Sequence, residues 1–288
     1  ETNGAAVGQA DNFVELLDDI DAVLAGPALE ALELVRAEGL IVNYSDARAN
    51  QSWTVDGGVV TLDLTSGVTS LRGAFSLLSG RPFVTDVSLF FDSPNNRRAA
   101  SMGFTVRNGI ARDLAVQTPA LGWLSVLDAP VNASLRASID DEGGLGPVYA
   151  SLELTDGLIQ PTPEARPIPL RYARAYLSYL PLQGRVSFDR AELDTEWGTM
   201  SASGQAFLRN WNEGGWPESF EGQFSLRDIA LNPDGMFDEP QTIDAASAVM
   251  RMTLSPFAID IGSVDLRLSD QDIHASGRIT ADSKGWGV

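Results

Sequence analysis

The sequence predicts a mainly β protein: an antiparallel sheet preceded by an N-terminal helical element. Three observations predict it. Apolar and polar residues alternate over most of the chain after Gly39, turn dipeptides punctuate these runs, and before Gly39 the apolar period is helical.

The helical element is expected over residues 11–38, after a start at 1–10 that is disordered or arbitrary. Phe13, Leu16, Leu17, Ile20, Val23 and Leu24 recur on one helical face, with Asp and Glu opposite. Asp11 or Asn12 can cap the start by accepting from free backbone N–H groups. Gly26-Pro27 interrupts the pattern, and a second short helix over 28–38 carries Leu29, Leu32 and Val35 before Gly39 stops it. The element reads as a plug over one end of a β structure, or as a partner-binding helix.

Beyond Gly39 the period becomes 2. "VVTLDL" sets Val60, Leu62 and Leu64 on one face and Thr61 and Asp63 on the other. "VNASLRASID" is the clearest run, with Val131, Ala133, Leu135, Ala137 and Ile139 alternating with polar residues. "VYASLELT", "VMRMTL" and "VDLRLS" continue the theme. Strands with one apolar and one wet face belong to antiparallel sheets. Asp56-Gly57, Asn108-Gly109, Asp156-Gly157 and Asp234-Gly235 read as the turns between them. Residues 118–130 read as a helical interruption, with Pro119 at the start and Leu121, Leu124 and Leu127 at helical spacing. The Pro-rich segment 161–169 reads as a linker between a first β unit, 39–160, and a second, 170–288.

The second unit repeats itself. "LQGRVSFDRAEL" (182–193) resembles "FEGQFSLRDIAL" (220–231), matching Gly184 to Gly222, Phe188 to Leu226 and Leu193 to Leu231. Ala-Ser-Gly occurs at 202–204 and again at 275–277, each time followed by a Gly-Trp pair. Near-repeats of this kind indicate stacked structural units rather than one catalytic pocket.

Composition removes several functions. The formal charge of −19, from 39 acidic and 20 basic residues, disfavours nucleic acid and bare anionic membrane as partners. It suits a long β surface kept soluble. There is no cysteine, hence no disulfide, thiolate metal site or cysteine nucleophile, in either a cytoplasmic or a periplasmic protein. The single histidine, His274, reads as a surface or packing residue, since zinc and Ser-His-Asp chemistry need more. No apolar run is long enough to span a membrane, and the opening "ETNGAAVGQADN" has no signal-peptide pattern, so the chain is expected to be a segment of something longer. "DDEGG" (140–144) lacks the EF-hand spacing and reads as a solvated turn. Asp265 with Asp270 makes no acid–base pair that the sequence can place. No enzyme activity, catalytic residue, metal or cofactor is expected.

A one-sided sheet must bury its apolar face. A sandwich does so with a second sheet and a barrel by closure; a trough needs a ligand or a plug. Alternation alone fits all three. A trough would serve lipid well: a two-chain lipid exposes about 30 methylenes in water, at ~0.8 kcal/mol each. About sixteen strands would give a groove on the order of 75 Å long.

Several phrases resemble the AsmA-like superfamily of bacterial envelope proteins, and within it the large YhdP-type members. "GLIVNYSDARANQSW" is similar to that family's opening strand, with Tyr44, Asp46, Arg48 and Trp53 in order. "IARDLAVQTPALGWLSVLDAPVNASLRASID" is similar to its short helix and following strand, and "ASGRITADSKGW" to its closing strand. The resemblance runs from about residue 38 to the end. It implies an elongated, curled antiparallel sheet, a repeating β-groove with an apolar interior. It implies a periplasmic segment of a protein anchored in the inner membrane, whose groove shields phospholipid acyl chains in transit to the outer membrane and supports outer-membrane integrity. It supplies no catalytic residues. The membranes would be reached through other parts of the full-length protein. The alternative is a structural β-scaffold that supports envelope assembly or binds periplasmic proteins.

The lipid-binding candidates are the apolar faces of the clearest strands: Val131, Leu135, Ile139, Leu152, Leu154, Val186, Phe188, Phe224, Leu226, Leu254, Val264, Leu266 and Leu268. Apolar wall and apolar core share one sequence signature, so packing explains any one of them equally well. Trp197, Trp211, Trp216 and Trp286 read as rim aromatics or corner packing over glycine, and Tyr172, Tyr176 and Tyr179 as a second rim or an ordinary surface.

Overall fold

The computed structural model describes residues 32–46, 51–78, 82–95, 97–117, 119–160, 165–212, 217–268, 271–282 and 285–287. The chain is mainly β, as expected, and among the described residues seventeen strands belong to one antiparallel sheet. A sandwich needs two sheets, and the described strands supply one. The chain divides into two compact units.

The first unit comprises the described residues of 32–108, Asn132–Ala150 and Leu180–Gln183. Strands β1 (Leu34–Asp46), β2 (Gln51–Asp63), β3 (Val68–Leu78), β4 (Thr85–Pro94) and β5 (Ala100–Ile110) pair in chain order. β7 (Pro130–Ile139) adds Ile139, which packs with Ala100, Phe91, Met102 and Leu145.

The second unit comprises Gly109–Val131, Ser151–Tyr179 and Gly184–Val288. It opens with α1 (Ala111–Ala115), a 3-10 turn (Pro119–Val126) and β6 (Leu127–Asp128), and takes in most of β8 (Val148–Ile159) and β9 (Ile168–Leu180). A meander follows: β10 (Arg185–Thr195), β11 (Gly198–Trp211), β12 (Pro217–Leu231), the short β13 (Gln241–Ile243), β14 (Ala245–Leu254), β15 (Phe257–Leu268), β16 (Gln271–Asp282) and β17 (Gly285–Gly287).

Several expectations change. The helical element lies outside the described residues as far as Ala31, and the helix expected over 28–38 is strand from Leu34 onward. Leu34, Val35, Arg36 and Ala37 pair in register with Asp63, Leu62, Thr61 and Val60, and that pairing overrides local helical propensity. Gly39 is not a helix stop: its φ of 64° sits where the β1–β2 register shifts between Ala37 and Leu40. Three of the four expected turns are also inside strands. Gly57 (φ 70°), Asn108 (φ 53°) and Asp156 (φ 41°) are left-handed positions within β2, β5 and β8. Gly, Asn and Asp are the residues that reach this conformation cheaply, in bulges as well as turns. Only Asp234-Gly235 connects two strands.

Within the interruption expected over 118–130, Pro119–Val126 form the 3-10 turn, α1 lies just before it, and Leu127 is already strand, opposite Ile159. The turn packs on the sheet: a Cβ on Gly122 would lie 3.1 Å from the Leu254 carbonyl oxygen. Leu124, within the turn, and Leu254, on the sheet beside it, are both buried. Of the segment 161–169, residues 161–164 lie outside the described residues and 165–169 belong to the second unit. The Gln160 amide donates to Val126 O (2.7 Å), its side chain donates to Ala165 O (2.9 Å), and β9 starts at Ile168.

Candidate functional site

Residues directly opposite in an antiparallel ladder share a face, so the registers of β10 to β16 define the faces of the second unit. One row crosses Phe188, Gly204, Phe224, Ala248, Val264 and Ala275. A second crosses Val186, Ala206, Gly222, Met250, Ile261 and Gly277, and a third Ala191, Ala202, Leu226, Ala246, Leu266 and Ile273. No charged or hydroxyl side chain interrupts these rows. The opposite face carries Ser203, Ser225, Ser247, Asp265 and His274 across one row. Its charges pair locally, with Arg251 on Glu221 at 3.2 Å and Arg278 on Asp260 at 3.1 Å.

The candidates divide by burial. Val131, Ile139, Leu154, Val186 and Leu254 are buried, among the core residues. Leu254 lies beside the 3-10 turn, whose Gly122 approaches its carbonyl oxygen. Phe188, Phe224, Leu226, Val264 and Leu266 lie together on the apolar face and stay partly exposed, as does Leu152 on β8. Leu268 stands opposite Gln271 in the same ladder. In the first unit Leu135, on the same alternation as Ile139, is 41% exposed.

Alternation also left members unnamed. Met250, Ile261 and Ile273 share the second unit's apolar face, and Ile273 is 41% exposed. The first unit has its own apolar face: Leu62, Leu71, Phe91 and Met102 form one row, and Gly73, Leu89 and Phe104 the next, with Phe104 43% exposed. The alternation in "MGFTV" and "VSLFF" was the available signal.

The remaining candidates resolve one by one. Tyr44 and Trp53 stand opposite each other and stack, centroids 6.1 Å apart, Asp46 faces Gln51, and Arg48 lies outside the described residues. Arg174 lies over the rings of Tyr172 (5.1 Å) and Tyr176 (5.9 Å) and reaches Glu153 at 3.1 Å. Tyr179 is off that series, and burial pushes its phenol up. Trp197 sits in the β10–β11 turn, Trp211 ends β11 opposite Pro217, and Trp286 faces Ala281; Trp216 lies outside the described residues. In 140–144, Asp140 accepts from the amides of Glu142 (3.0 Å) and Gly144 (2.7 Å), which makes a turn. His274 is exposed and pairs with Asp265; Asp270 lies outside the described residues. Among the described residues no cluster of His, Asp or Glu is placed to hold a metal ion, and no helix is long and apolar enough to cross a membrane.

On the polar face of the first unit a cavity of about 510 Å³ is lined by Thr61, Arg72, Ser88, Phe90, Asp92 and Thr105 among others. Its size suits a small ligand, but its cation is engaged. Arg72 donates to Leu71 O (3.0 Å), Phe91 O (3.2 Å) and Asp92 (2.8 Å). The Arg72 hydrogen bond holds Asp92 below the usual carboxylate range.

No protein-family model matches the chain, and neither a curated protein nor a solved structure does.

Proposed function

We propose that the apolar face of the second unit receives alkyl chains, and that the chain is a segment of a periplasmic bridge, anchored in the inner membrane, that shields phospholipid acyl chains on their way to the outer membrane. One observation carries the reading. Phe188, Phe224, Leu226, Val264, Leu266 and Ile273 occupy one face without a polar interruption and remain partly exposed. Partly exposed apolar surface on one face is costly in water, which supports an interaction there. Six strands, β10 to β12 and β14 to β16, span about 24 Å across the ladder, and an acyl chain in one leaflet spans about 15 Å. The face therefore has length for a whole chain, and its other side is soluble through paired charges. Direction and energy would come from elsewhere, because no nucleotide-binding loop occurs in the sequence.

The scaffold reading draws on the buried part of the same face, where Ala206 and Ala248 are 0% and 1% exposed. Native mass spectrometry of the full chain, incubated with a two-chain phospholipid, separates the two. Retained phospholipid that is lost in a Phe224→Asp, Leu226→Asp variant with unchanged circular dichroism supports the lipid face. A folded chain that retains none supports the scaffold.

A further inference from the structure

The loop from β12 to β13 is built as a rigid apolar tip. The Asn232 amide donates to Trp197 O at 2.8 Å, which fixes the loop's base to the β10–β11 turn. The Asn232 side chain then clamps the far end: its Nδ2 donates to Phe237 O (3.0 Å) and its Oδ1 accepts from the Phe237 amide (2.9 Å). Between these points Gly235 takes φ 66°, with open space around its Cα, and the Met236 amide donates to Pro233 O at 2.9 Å. The clamp holds out two large apolar side chains, Met236 at 72% and Phe237 at 40% exposure. A pre-ordered loop loses little entropy on binding. Met and Phe are favoured at protein interfaces.

Charge indicates the partner. In the sequence Asp234 precedes the tip and Asp238 and Glu239 follow it, and between Arg227 and Arg251 there is no Lys or Arg. Such a loop repels an anionic bilayer and complements a cationic protein surface. We propose that the Met236–Phe237 tip docks a cationic protein segment that carries an apolar pocket or stripe. This site is separate from the alkyl-chain face and does not depend on it.

The test uses fluorescence anisotropy of a labelled amphipathic helical peptide of Lys and Leu, titrated with the full chain. Met236→Ser with Phe237→Ser, and separately Asp238→Asn with Glu239→Gln, weaken binding about tenfold or more. Asn232→Ala leaves both apolar side chains in place and weakens it several-fold through lost pre-order. Asp260→Asn, an acidic change elsewhere on the same unit, leaves it unchanged. No binding by the wild-type chain, or equal binding by all variants, overturns the proposal. Binding to mixed phosphatidylcholine and phosphatidylglycerol vesicles that requires Met236 and Phe237 also overturns it and assigns the tip to a membrane.

Discussion

Phe188 and Phe224 meet edge to face across Gly204, ring centroids 5.4 Å apart and planes at 65°. The contact exists because β11 offers only small residues there, Ala202, Gly204 and Ala206, between two strands with large ones. A Cβ on Gly204 would lie 2.3 Å from Gln223 O and 2.9 Å from the Phe224 ring. Gly204→Ala therefore forces the β11 and β12 backbones apart. It lowers unfolding stability by about 1–3 kcal/mol in a denaturant titration, whereas Ser203→Ala, on the exposed opposite face, stays within ~0.5 kcal/mol.

Core and candidate wall are separable by truncation. Leu254 is 1% exposed beside the 3-10 turn, so Leu254→Ala costs about 2–5 kcal/mol. Leu266 lies on the partly exposed face, and Leu266→Ala costs about 1 kcal/mol or less. Equal losses in chemical denaturation would show that both belong to one closed core.

The mid-strand bulges rest on backbone conformation alone at Gly57, where φ is 70° and no atom lies within 4 Å of an added Cβ. Gly57→Val costs about 1–2 kcal/mol for left-handed strain, while Gly57→Asn stays close to wild type, since Asn reaches that region readily. Thermal unfolding of the two variants checks the ranking.

Asp92 carries a pH signature. Its hydrogen bond from Arg72 lowers its pKa in the folded chain, while the unfolded value is about 3.9. Above that value both states are ionised and the stabilisation is fully present. As pH falls from about 3.9 through the folded value the unfolded state takes up the proton first, and the stabilisation is lost. Arg72→Gln removes this part of the acid sensitivity and raises the Asp92 titration midpoint, read by carboxyl NMR.

Much of this was legible in the sequence. Alternation in "VDLRLS" placed Val264 and Leu266 on one face, because a regular strand transmits its period directly to the sheet. The repeat also held local meaning: Phe188-Asp189-Arg190 and Leu226-Arg227-Asp228 both stand where the register shifts. Ala-Ser-Gly at 202–204 and at 275–277 both turn Ala and Gly to the apolar face and Ser to the other. What stayed hidden depended on long-range contact. Asp56-Gly57 has one local conformation whether the chain turns or bulges, and only the partner strand decides. Leu254 and Leu266 likewise look alike until the 3-10 turn packs beside one of them.

The central claim is that the face bearing Phe188 and Phe224 takes alkyl chains and its opposite does not. Site-specific photo-cross-linking tests it most directly, with benzoylphenylalanine placed singly at Leu226 and Leu266 on the apolar face and at Ser225 and Asp265 on the other. Irradiated with a tail-labelled phospholipid, the chain is predicted to form lipid adducts at Leu226 and Leu266 and none at Ser225 and Asp265. No adduct at any position, or equal adducts on both faces, would contradict it.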